Sequence, residues 1–83
     1  MYYTYVLKSL SDEKLYIGFT SDLRKRIREH KQGNVTATRP RRPLELIFYE
    51  AYKNMADAKR RERYLKSVKG KTTLKMMLRN SLS

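Results

Sequence analysis

Two tyrosines, an arginine, a histidine and a glutamate carry most of the chemical information in this 83-residue chain. Tyr5 and Tyr16 fall in two strand-like runs, "YYTYVLKS" and "LYIGF", joined by the polar turn "SLSDEK". A turn centred near Leu10–Ser11 sets Tyr5 opposite Tyr16, roughly 4.5–5.5 Å apart at Cβ, so that both phenols share one patch. Arg26 and His30 follow on the helical pattern "DLRKRIREH", four residues apart and therefore on the same side of the helix. Beside the two phenols, a planar guanidinium can hold a phosphate, and an imidazole can shuttle a proton or bind that phosphate. A phenol titrates near pH ~10, so it serves as a base only where nearby cations or metal-bound water favour the phenolate, as Arg26 is expected to do. The competing reading is a basic helix face that simply meets solvent. Tyr49, Tyr52 and Tyr64 read as ordinary half-buried aromatics.

Glu62 is the one acidic side chain on an otherwise inward-facing helical stripe, amid Lys59, Arg60, Arg61, Arg63 and Lys66. One reading pairs it with Lys66 at i, i+4, a surface ion pair of about 0.3–0.5 kcal/mol. The other gives it a divalent ion, because a lone carboxylate can bind Mg2+ when water and a substrate phosphate complete the octahedron. Position alone favours neither. Gly18 marks either a bulge or strand end, or a point where a phosphate can come close to the backbone. Arg39, Arg41 and Arg42 lie in the loop "NVTATRPRRP" and suit a phosphate backbone, with Lys66 a further substrate cation. Arg28 is equally charged but aimed elsewhere.

Three strands and three helices must position these groups. Along "YYTYVLKS", Tyr3, Tyr5 and Leu7 lie on one face and Tyr2, Thr4 and Val6 on the other. Thr20 or Ser21 is expected to cap the first helix, with Asp22 favouring its positive end, Leu23 and Ile27 as its apolar stripe, and Gly33 as its terminator. "LELIFYEAY" is apolar on both faces, which predicts a central strand. Asn54 is expected to cap the second helix in a box with Asp57, and Ala58, Leu65 and Val68 to form its buried stripe. A third helix, "KTTLKMMLRN", is expected after Gly70. The order β-β-α-β-α-α predicts an α+β fold, a small three-stranded antiparallel sheet flanked by helices.

Composition narrows the partners. Twenty Lys+Arg against eight Asp+Glu give a formal charge of +12, a field that attracts polyanions, with nucleic acid foremost. No cysteine and a single histidine exclude a disulfide framework and argue against structural zinc. No run approaches the ~20 apolar residues of a membrane span, and the N-terminus does not read as a signal peptide, so a cytoplasmic location without membrane attachment is expected. The length is that of one domain. These features also fit a non-catalytic nucleic-acid-binding module, a factor that recruits a repair complex, or an RNA-associated protein.

The motif spacing goes further. "YIG" is followed by T-x-x-L-x-x-R-x-x-x-H, from Thr20 to His30, and later by A-x-x-R-E-x-x-L-K, from Ala58 to Lys66. With "YTYVL" and "RRPLELIFYEAY", this pattern covers almost the whole chain, and it resembles the GIY-YIG nucleases. The closest resemblance is to small stand-alone bacterial members related to the nicking domain of excision-repair endonucleases. The resemblance implies a single nuclease domain over residues 1–83 that cuts DNA phosphodiesters with one divalent ion, Mg2+ or Mn2+, in repair or recombination. It also implies that Tyr5, Tyr16, Arg26 and His30 are catalytic and that Glu62 binds the metal. In the first motif, Tyr3 and Thr4 stand where the family has Gly and Ile, a departure that bears on strand packing, since Tyr5 itself is present.

Overall fold

A computed structural model describes residues 1–83. Strand β1 (Tyr2–Ser9) turns into β2 (Leu15–Thr20), and helix α1 (Leu23–Lys31) follows. After a short 3-10 turn at Arg39–Arg41 come β3 (Leu44–Tyr52), α2 (Met55–Lys66) and α3 (Val68–Met77). The order is the expected β-β-α-β-α-α, and the three strands form one antiparallel sheet.

The sheet order is β2-β1-β3, so the central strand is β1 and not β3. Thr4, Tyr5, Val6 and Leu7 are buried in succession, which requires cover on both faces. Their polar atoms are satisfied internally: Thr4 Oγ1 donates to the Ala58 carbonyl at 2.7 Å, and Tyr5 Oη bonds His30. Those tyrosine and threonine side chains disguise a central strand as a half-exposed one. β3 has apolar residues on both faces, yet Leu46, Ile47 and Phe48 are only partly buried because it lies at an edge.

One layer of the core sets Tyr5, Leu7 and Leu44 against Leu23 and Ile27 of α1. The other sets Val6 and Ile17 against Leu65, Leu74 and Leu78 beneath α2 and α3. The β1–β2 hairpin pairs Tyr5 with Gly18 and Leu7 with Tyr16, two residues away from the expected register. The turn is longer than expected because Ser9 Oγ accepts from the Ser11 and Asp12 amides and Glu13 takes a positive φ of 62°. A two-residue shift preserves facing, so Tyr5 and Tyr16 still share a side of the sheet.

Several helix ends differ from expectation. Asp22 caps α1, its carboxylate accepting from the Lys25 amide, while Thr20 Oγ1 accepts from the Asp22 amide instead. Gly33, at φ 80°, ends α1 as expected. Asn54 caps α2, but Asp57 pairs with Arg60 and closes no box. Val68 is 83% exposed because α2 ends at Lys66, and Ser67 starts α3 by accepting from the Gly70 amide. Gly70 thus lies inside α3, where a Cβ would come within 1.8 Å of the Tyr64 carbonyl oxygen; the glycine permits a helix contact rather than ending a helix. No helix is long and apolar enough to cross a membrane.

Candidate active site

The site forms around the open edge of β2. Gly18 lies opposite Tyr5, and the Tyr5 ring lies over it so closely that a Cβ there would sit 2.4 Å from both Cζ and Oη. The missing side chain is therefore what lets the phenol of a central strand extend toward the sheet edge. Tyr5 Oη is 2.7 Å from His30 Nε2, and His30 Nδ1 is 2.7 Å from Thr38 Oγ1. His30 and Thr38 are wholly buried. The Tyr16 ring closes the group, 5.2 Å from His30 and 6.5 Å from Tyr5 between ring centres.

Burial decides the protonation states. It raises the Tyr5 phenol to about 12, with Tyr16 and the negative charge of Glu62 adding to the rise and Arg26 opposing it. The expected phenolate is overturned: desolvation outweighs the guanidinium, and Tyr5 is neutral near pH 7. Burial, reinforced by the positive charge of Arg26, lowers His30 to about 4, against a weaker opposing pull from Glu29. A neutral imidazole has one N–H for two oxygen neighbours, so one nitrogen donates while the other accepts. Sealed from solvent with both nitrogens engaged, His30 has no face left for a phosphate. Its contact with the chemistry runs through Tyr5.

Arg26 and Glu62 approach from opposite sides of the strand edge. Arg26, on α1, is raised above its usual range chiefly by the neighbouring Tyr5 phenol, and it meets Glu29 at 3.3 Å. Glu62, on α2, has a side chain 20% exposed and an ion pair with Lys66 at 3.0 Å, so the i, i+4 contact is formed. The charges of both Arg26 and Glu62 reach the Tyr5 phenol. Arg28 is exposed and lines a different hollow, with Leu23, Ile27 and Leu46.

The loop arginines are held by the framework. Arg39 Nε donates to the Gly33 carbonyl and Arg42 Nε to the Arg39 carbonyl, with the Arg42 guanidinium lying over Gly33. Arg41 is tied at Nε to Asp12 and at its terminal nitrogen to the Leu15 carbonyl. No cluster of three His, Cys, Asp or Glu side chains is present. One half-buried carboxylate, paired only with the exposed Lys66, suits a hard ion that keeps most of its waters and takes other oxygens from a phosphate, as Mg2+ and Mn2+ do. Glu62 would hold such an ion. Thr38 escapes a reading of the sequence, because a threonine in a loop dominated by arginines gives no local sign that its hydroxyl reaches a histidine eight residues back.

Residues 1–75 match the GIY-YIG catalytic domain. The chain is 37% identical to a UPF0213 protein of Clostridium perfringens over 83 residues, covering 99% of this chain and 88% of that relative. A UPF0213 protein of Haloquadratum walsbyi is 39% identical over 67 residues, 80% of this chain and 74% of the other. The solution NMR structure of a UPF0213 protein from Bacillus halodurans superposes with a TM-score of 0.58 at 32% identity, covering 93% of this chain and 85% of that one. With the match spanning most of its length, the chain belongs to the GIY-YIG catalytic-domain family.

Proposed function

We propose that the protein is a divalent-metal-dependent endonuclease that hydrolyses DNA phosphodiester bonds in the cytoplasm, in repair or recombination, with residues 1–83 acting as one nuclease domain. The observation that supports this best is the cluster at the open edge of β2, with Tyr5 Oη 2.7 Å from His30 Nε2, the Tyr16 ring beside both, and the charges of Arg26 and Glu62 reaching the Tyr5 phenol. A module that only bound nucleic acid would have no use for a carboxylate there.

In this reading, Glu62 holds Mg2+ or Mn2+, whose positive charge would offset the charge gathering on the scissile phosphate. Tyr5 enters as a neutral phenol. Its oxygen accepts a proton from the attacking water while its own proton moves to His30 Nε2. The His30 tautomer with Nδ1–H bonded to Thr38 keeps Nε2 free to accept. The water oxygen forms the new P–O bond, the bond to the leaving oxygen breaks as that oxygen takes a proton from solvent, and the proton held by the tyrosine–histidine pair returns to solvent. Arg26 donates to the equatorial oxygens as their charge grows, where fixed donors lower barriers most. The Tyr16 hydroxyl positions the phosphate. Gly18 makes room for the Tyr5 ring where the phosphate docks, Lys66, Arg39 and Arg42 supply substrate contacts, and Arg41, tied to Asp12 and the Leu15 carbonyl, holds the arginine loop.

Glu62→Gln tests this directly. The amide keeps the shape of the side chain and removes the charge that attracts the metal. It also releases Lys66, so DNA affinity in EDTA should stay level or rise. Nicking in Mg2+ or Mn2+ should fall by at least ~100-fold, because metal stabilisation of the transition state is a term of several kcal/mol. Arg28→Ala should cost little. Cleavage surviving Glu62→Gln would rule out the metal role, and tight binding without wild-type cleavage of flap, nicked, branched or single-stranded DNA would favour a binding module.

A further inference from the structure

Phe19 follows Gly18 directly on the edge strand, yet it is absent from the apolar side chains packed against either core cluster. It is half-exposed. Its ring lies parallel to that of Tyr2, at 9° with centroids 6.3 Å apart, and the exposed Lys59 of α2 holds its ammonium 5.3 Å from the ring centre. Lys59 is itself exposed, so the only charged cover on the partly buried ring is a side chain free to move away. With Thr20, Ser21, Asp22, Lys25, Arg26 and Glu29, Phe19 also borders a surface hollow of about 340 Å3. Phe19 pairs with Thr4, so its ring lies with Lys59 on the α2 face of the sheet, across β2 from Lys25 and Arg26 and one residue (about 3.3 Å along a strand) from Gly18 at the same open edge.

An aromatic face flanked by flexible cations is how nucleic-acid-binding proteins take up single-stranded segments: the base stacks and the cations meet its phosphates. A base inside a duplex has both faces covered by its neighbours, so only an unpaired or terminal base can use such a ring. We propose that Phe19 is a stacking platform for an unpaired nucleotide next to the scissile phosphate, with Lys59 moving from the ring to that nucleotide's phosphate. The preferred substrate is then DNA with a single-stranded segment at the cut, rather than intact duplex. The assignment rests on the nuclease reading for the word "scissile", but stacking itself needs no hydrolysis.

The test uses DNA with a single-stranded arm carrying a fluorescent adenine analogue, quenched on stacking, and is run in EDTA. Wild type and Phe19→Tyr should quench the analogue at the arm base nearest the junction and should bind the armed DNA roughly tenfold more tightly than Phe19→Leu does. Phe19→Leu keeps apolar bulk and loses the π face, and matched thermal melts for the three proteins exclude misfolding as the cause. Equal quenching by Phe19→Leu would overturn the proposal. So would nicking in Mg2+ that is as fast on intact duplex as on armed DNA and unaffected by Phe19→Leu, while leaving the nuclease reading in place. Phe19-dependent quenching without cleavage of any DNA would do the reverse, supporting the stacking site and refuting the nuclease.

Discussion

At the scale of single residues, His30 matters because it is neutral and sealed. Its folded pKa lies at about 4, below the ordinary 6.5, mainly through burial. Between those values the unfolded chain binds a proton at this position and the folded chain does not, so stability rises with pH across that window. The stabilisation is complete above 6.5 and is lost as pH falls toward 4. Urea or thermal unfolding between pH 4 and 6.5 should therefore show a steeper loss for wild type than for His30→Gln, which cannot titrate. Parallel curves would mean that His30 does not stay neutral in the folded protein. The same variant should nick DNA far more slowly while binding it normally, because it alters the proton acceptor of Tyr5 and touches no phosphate. The pairing of Tyr5 with Arg26 was legible in the residue types, but the protonation state was not. Charge proximity argued for a phenolate, and only the three-dimensional burial of Tyr5 reverses the sign.

At the scale of elements, two glycines set the geometry by letting other groups come close. A methyl at Gly18 would collide with the Tyr5 ring, and one at Gly70 with the Tyr64 carbonyl. Gly18→Ala should cost about 1–3 kcal/mol as the buried ring is displaced, lowering Tm by roughly 4–8 °C per kcal/mol in a domain this small. Gly70→Ala opposes backbone rather than a side chain and should cost at least as much. Gly18→Ala should also lose cleavage out of proportion to its stability, since it moves the phenol. A Gly18→Ala protein that melts like wild type would show that the Tyr5 ring shifts freely. Element types and order were readable because strand alternation and helical spacing are local. Which strand lies in the middle was not: Thr4 and Tyr5 look polar until their hydroxyls find Ala58 and His30 from distant parts of the chain. Gly70 misleads for the same reason, as its partner is the carbonyl of another helix.

At the scale of the whole molecule, a charge of +12 predicts DNA binding that weakens steeply with salt. The cations are not equivalent, however, because some also hold the fold together. Arg41 is fixed by Asp12 and the Leu15 carbonyl and has a side chain 24% exposed, whereas Arg39 and Arg42 are exposed residues that bond the backbone through Nε alone. A cation that neutralises one duplex phosphate contributes about 0.9 to the slope of log K against log salt. Arg39→Ala and Arg42→Ala should each lower that slope by close to this amount and leave the metal-dependent nicking rate of bound DNA unchanged. Arg41→Ala should hardly alter the slope and instead cost on the order of 1 kcal/mol of stability, through a partly exposed ion pair and one backbone contact. Salt titrations of binding to a fixed duplex, paired with thermal melts, separate the two effects. If Arg41→Ala flattened the slope as much as Arg42→Ala while the melt stayed unchanged, Arg41 would leave Asp12 for the DNA, and the hairpin loop would belong to the binding surface rather than to the scaffold.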